Sequence, residues 1–152
     1  MIDTMRDADG LGLAAQQVGL PMRMFVLDVP SLVKRPSVMR IGGREVDFEE
    51  LMPLVLLNAE VRLSGPVRTE TEGCLSFPDL SAEVPRPQAV AVKAMTLDGE
   101  TREFEAEGLL ARAVQHEFDH TRGVLFIDRA TPEDRASFPP EVSRLVRPPA
   151  DA

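Results

Sequence analysis

Apolar positions alternate with polar ones along several short stretches, and in one stretch they recur every three to four residues. Residues 22–29 (Met-Arg-Met-Phe-Val-Leu-Asp-Val) read as a strand with β-branched and aromatic residues at the centre. Residues 54–63 are apolar enough for a buried strand, which Ser64-Gly65-Pro66 is expected to end. Residues 89–97 alternate small and larger apolar side chains, Asp98-Gly99 is a hairpin turn pair, and residues 101–106 return antiparallel. At 108–120 the period changes to that of a helix, with Leu109, Leu110, Ala113 and Val114 on its apolar face. Residues 1–7 are helix-compatible and lead into a glycine-punctuated segment at 9–15. Residues 30–50, polar with Pro30, Pro36 and Gly42-Gly43, predict a surface loop or hairpin insertion. Beyond Asp128 proline becomes frequent, which predicts a short irregular or helical segment and then disorder. Strands followed by one internal helix predict an α+β fold with antiparallel sheets around that helix, not alternating βαβ units. The expected division is one domain over residues 1–130 and a tail over 131–152.

The charge balance removes several function classes. A net charge of −8 argues against a general nucleic-acid binder, because phosphate neutralisation needs a basic surface. No apolar run approaches the roughly 20 residues of a helical membrane span, and residues 1–10 are not a secretory signal. Cys74 is the one cysteine, so no intrachain disulfide can form, which fits a cytoplasmic protein. Taken alone, such a cysteine is more often a small buried hydrophobe than a working residue.

The segment Gln115-His116-Glu117-Phe118-Asp119-His120 changes that picture. Residues four apart on a helix lie about 40° apart around its axis, so His116 and His120 project from one face one turn apart. Two imidazoles so placed can bind one divalent metal, and Glu117 beside the first reaches a water on its open side. These are the chain's two histidines, and both fall in one apolar helix, against the reading of a solvated face with incidental histidines. Ala113, one turn earlier, leaves room beside the metal. A third ligand is required, and Cys74, Asp119 and a distant carboxylate are the candidates. Asp119 can instead hydrogen-bond a ring or cap the helix end. Cys74 lies in Glu72-Gly73-Cys74-Leu75-Ser76-Phe77-Pro78, where glycine and proline shape a tight turn, and it is the better candidate. Two histidines and a cysteine leave one coordination position free, as a catalytic site requires.

Three motifs in chain order now resemble those of the peptide deformylase family. They are Gly10-Leu11-Gly12-Leu13-Ala14-Ala15-Gln16-Gln17-Val18-Gly19, Glu72-Gly73-Cys74-Leu75-Ser76, and the segment 115–120. Gly123-Val124-Leu125-Phe126-Ile127-Asp128 and Val84-Pro85-Arg86-Pro87 are also similar, so the resemblance covers residues 1–128. It implies a hydrolase that removes the formyl group from nascent polypeptides beginning with formylmethionine. It implies one divalent metal, Fe²⁺ in the cell with Ni²⁺, Co²⁺ or Zn²⁺ tolerated, held by Cys74, His116 and His120. Glu117 would shuttle the proton, and the Gln17 side chain and Leu75 backbone N–H would bind the developing oxyanion. Backbone groups of Leu11, Gly12 and Gly73 would pair with the peptide, and Ala113 would help line the methionine pocket. Glycines at 10 and 12 let a peptide backbone approach closely and add as a strand, tolerant of its sequence.

The family has several tens of residues before its first motif, so N-terminal elements are expected to be truncated here, and any organellar targeting segment with them. Thr121-Arg122 stands where the family usually has Leu-Asn, and losing the leucine is expected to loosen packing behind His120. The tail carries no long basic helix for ribosome docking, so at most transient ribosome proximity is expected; nucleic acid and membrane are not expected partners. Two other functions compete. His-Glu-x-x-His also marks zinc endopeptidases, but those usually take a third histidine or glutamate downstream and no histidine follows His120. A truncated, non-catalytic relative would keep the metal as a folding staple, for which Glu117 and Gln17 are superfluous. Gly10-x-Gly12-x-x-Ala15 with Asp28 echoes a dinucleotide fingerprint, which would have to follow a strand.

Overall fold

A computed structural model describes residues 1–147, and the expectation of disorder at the very end lies, for residues 148–152, outside the described residues. The strands are β1 (Gly12–Ala14), β2 (Met24–Leu27), β3 (Ser37–Ile41), β4 (Arg44–Val46), β5 (Leu54–Cys74), β6 (Phe77–Met95) and β7 (Thr101–Gly108). All pair antiparallel in one curled sheet of order β1-β2-β5-β6-β7-β3-β4. The helices are α1 (Ile2–Asp7), α2 (Leu109–His120), α3 (Phe126–Arg129), α4 (Pro132–Ser137) and α5 (Pro140–Ser143). The fold is therefore mixed α+β, with a single sheet in place of separate sheets.

The reason for one sheet is the length of β5 and β6, 21 and 19 residues. Ser64-Gly65-Pro66 does not end β5, contrary to its composition. The register slips between Ser64 and Val67, Gly65 takes φ +80°, and the ladder resumes at Val67↔Pro87. A bulge of this kind bends a strand while keeping it paired. Beyond it β5 is polar and shows no apolar alternation, because the side chain it buries there is Glu72. The hairpin closes on Leu75-Ser76, with Cys74 paired to Phe77, which is the tight turn expected around the cysteine. The β6–β7 hairpin also forms, but its loop is residues 96–100 and not the Asp98-Gly99 pair alone: Met95 pairs with Thr101, and the Gly99 N–H donates to Thr96 O at 3.0 Å. Residues 30–50 supply the β3–β4 hairpin, turned over Gly42-Gly43 with both at positive φ.

Helix α2 lies inside the curl, with ten of its twelve residues buried, so its surroundings are protein on nearly every side. Its apolar residues Leu109, Leu110, Ala113 and Val114 join Phe25, Leu27, Leu56, Val90 and Phe104 in the main core. The first turn has no side-chain cap of its own. Instead Pro36 O accepts from Leu109 N–H at 3.3 Å and Ser37 Oγ accepts from Leu110 N–H at 2.9 Å, so the start of β3 caps the helix. Gly108 makes the strand-to-helix corner at φ 72°, ψ −138°, where a Cβ would overlap Pro36 O. Helix α1 buries Met5 against Leu13 and Val26 on β1 and β2. The tail is helical over α4 and α5, and Phe138 packs with Phe126, Ile127, Ala82 and Val84 beneath the outer half of the β5–β6 hairpin. Among the described residues no helix is long and apolar enough to cross a membrane.

Candidate metal centre

The helix and the hairpin meet at three side chains. His116 and His120 stand one turn apart on α2 with ring centres 5.0 Å apart. The two-residue turn ending β5 places Cys74 Sγ 3.3 Å from His120 Nε2. Donor atoms of Cys74, His116 and His120 all lie within 4.8 Å of one another. Asp119 points away and accepts hydrogen bonds from Arg86 Nη1 (2.8 Å), Arg122 Nη2 (3.2 Å) and Arg129 Nη2 (2.7 Å), so it is neither ligand nor ring acceptor.

The ring partner is Glu72, which sequence reasoning did not single out. His116 Nδ1 and Glu72 Oε2 are 3.1 Å apart. The same carboxylate accepts from Arg86 Nε at 2.6 Å, Arg86 Nη2 at 3.0 Å and Arg112 Nη1 at 2.8 Å. Arg112 also donates to Val84 O and Arg68 O, tying α2 to both strands of the hairpin. A carboxylate on Nδ1–H fixes the ring's tautomer and turns Nε2 toward the metal side. The signal was present in the sequence: on a strand Glu72 and Cys74 project to the same face, so a ligating Cys74 brings Glu72 beside it.

Gln17 and Glu117 complete the cleft. Gln17 Oε1 accepts from Ala14 N–H at 2.8 Å, and its Nε2 donates to Ser76 Oγ at 3.0 Å and toward Cys74 Sγ at 3.6 Å. Glu117 is buried, and its Oε2 has no hydrogen-bond partner. The cleft, about 590 Å³, is lined by Leu11, Gly12, Gln17, Gly73, Cys74, Leu75, Ala113, His116 and Glu117 among others, while His120 is buried behind it. The dinucleotide reading fails on geometry: Gly10 follows helix α1, Gly12 opens a strand, and Asp28 is paired to Arg6 at 2.7 Å. The residues directly after His120 both turn to Phe118. Thr121 Oγ1 donates to Phe118 O at 2.7 Å, and the Arg122 guanidinium sits 4.7 Å from the Phe118 ring centre.

The sequence model of the polypeptide deformylase family matches residues 1–136. The chain belongs to the peptide deformylase family. It is 44% identical to a peptide deformylase of Methylacidiphilum infernorum over 147 residues, 97% of this chain and 77% of that protein. It is 46% identical to a peptide deformylase of Agrobacterium fabrum over 129 residues, 84% of this chain and 67% of that one. The solved peptide deformylase of Synechococcus elongatus, in complex with actinonin, superposes with a TM-score of 0.76 at 37% identity, covering 97% of this chain and 73% of that one. The family is metal-dependent.

Protonation in this deformylase site follows from its neighbours. Burial alone raises the Cys74 thiol, but the hydrogen bonds and positive charge of His116 and His120 outweigh it and bring the thiol down to about 5. Burial opposes charge on His116 as well, yet Cys74 and Glu72 lift it to about 10. Burial pushes Glu117 up, partly opposed by the two histidines, to about 7. Glu72 would also rise on burial, but His116 and Arg86 hold it well below the usual carboxylate range. A thiolate and two imidazoles, one steered by a carboxylate, are a donor set that suits a divalent transition metal and leaves a fourth position open.

Proposed function

We propose that this chain removes the N-terminal formyl group from formylmethionyl nascent polypeptides at a metal held by Cys74, His116 and His120. The observation that carries the assignment is the buried, unpartnered carboxyl of Glu117 beside that donor cluster in one cleft. When bound, the metal supplies Lewis acidity and lowers the pKa of water toward neutrality. Glu117, buried with a free carboxylate oxygen, accepts the proton of the water that adds to the formyl carbon and delivers it to the amine as the C–N bond breaks. The products are formate and a free N-terminus. Gln17 Nε2–H and the Leu75 N–H stabilise the oxygen that gains charge, and one such donor contributes about 3 kcal/mol. Glu72 holds His116 in the ligating tautomer.

Strand β1 is an edge of the sheet, so the backbone of Gly12 is available to a peptide added as a strand, beside Leu11, whose carbonyl also accepts from Asp28 N–H at 2.9 Å, and with Gly73 across the cleft. Ala113 leaves space along α2 for the methionine side chain. The thiolate and imidazole donors suit a divalent transition metal without choosing among them; the family resemblance makes Fe²⁺ the working metal, with Ni²⁺, Co²⁺ and Zn²⁺ as substitutes. Residues 1–130 constitute the catalytic domain and 131–152 its tail, a division supported by every site residue lying between 11 and 120. A ligating cysteine belongs in a reducing compartment, and we place the protein in the cytoplasm. The test is formate release from a formyl-Met peptide by protein loaded anaerobically with Fe²⁺ or with Ni²⁺. The account expects turnover with one metal per chain; a fully loaded protein that releases no formate overturns it.

A further inference from the structure

Gly12 is a glycine for a reason its own backbone does not supply. It has no positive φ and sits in strand β1 paired with Leu27, a conformation any L-residue adopts. What the position lacks is room. A Cβ on Gly12 would lie 2.5 Å from Glu117 Oε1, 2.6 Å from Cγ and 2.7 Å from Cδ, and these are its three nearest atoms. Ordinary contact at a Cβ begins near 3.4 Å, so the end of the Glu117 side chain already occupies the place a side chain at 12 would take. Oε2 of Glu117 has no hydrogen-bond partner to tether it, so packing against the bare Gly12 Cα locates this carboxylate.

We propose that Gly12 is a positioning residue for Glu117, its missing side chain being the seat of the carboxylate. The inference rests on the reading of Glu117 as the proton carrier. The three atoms an added methyl meets first all belong to the end of one flexible side chain, so the fold yields by moving the carboxylate and the metal ligands stay in place. Displacing a catalytic group by about 1 Å costs on the order of a hundredfold in rate. The same strand edge is offered to the peptide, which places the substrate backbone next to the base that serves it.

The experiment compares wild type, Gly12→Ala, Glu117→Ala and the double variant, each loaded with Ni²⁺. Gly12→Ala should bind one metal and lose kcat by about a hundredfold, with KM within about threefold of wild type. It should lower Tm by about 2 °C or more in the wild-type background and leave Tm unchanged when Glu117 is already alanine, because the clash has gone. An equal Tm loss in both backgrounds, or a rise in KM with kcat retained, would overturn the proposal. If Gly12→Ala alone fails to fold, the double variant should fold and bind metal, and its failure would overturn the proposal too. Wild-type turnover by Glu117→Ala would sink the reading of Glu117 itself, while the Tm comparison would still decide whether Gly12 seats its side chain.

Discussion

In the metal-free chain Cys74, held near 5, is already a thiolate at pH 8, and His116, held near 10, is an imidazolium. A metal needs the thiolate and a neutral ring, so its binding must displace the proton on His116 and need not displace one from Cys74. Calorimetric titration of the metal-free protein with Zn²⁺ at pH 8, in buffers of different ionisation enthalpy, should report one proton released from His116 and up to one more from the water the metal acidifies. Release of none contradicts this arrangement. At this scale most of the site was legible before any coordinates: His116, Glu117 and His120 follow from helical spacing, and Cys74 from the need for a third donor. Glu72 could have been read from strand alternation with Cys74; Arg86 and Arg112 could not, because buried charges leave no hydrophobic pattern and their pairing is set by a hairpin register unknown from sequence.

Helix α2 carries its ligands because its N-terminus is held by β3 through a corner that glycine alone can turn. Gly108→Ala combines backbone strain at positive φ with overlap of Pro36 O, a cost of roughly 3 kcal/mol. For a chain of this size that is a Tm loss of about 6–12 °C, readable by differential scanning calorimetry. A change under about 2 °C would show that the corner relaxes freely. Helix α2 and the β6–β7 hairpin were legible because their periods are clean. The extent of β5 was not: Ser64-Gly65-Pro66 is a break in composition but a bulge in structure, since pairing with β6 carries the strand across it.

Across the whole molecule, the buried carboxylates Glu72 and Asp119 join the β5–β6 hairpin, α2 and α3 through Arg86, Arg112 and Arg129. Both carboxyls titrate below their usual range, because the arginines, and His116 at Glu72, outweigh the burial that would raise them. A depressed folded-state pKa contributes stability that is full above the unfolded value, near 4, and is lost as pH falls below it. His116, raised in the folded state, contributes fully below about 6.5 and so adds no change in that acid window. The Tm of the metal-free protein should therefore begin to fall as pH drops through about 4 and keep falling down to pH 3, less steeply in Glu72→Gln. A Tm that holds level to pH 3 contradicts the network's role. The whole-molecule claim that hairpin and helix converge to make a catalyst, and not a metal clip, turns on Glu117. Formate release by Glu117→Ala at full metal occupancy tests it most directly: the account predicts turnover at least about a hundredfold below wild type, and wild-type turnover by that variant would contradict it.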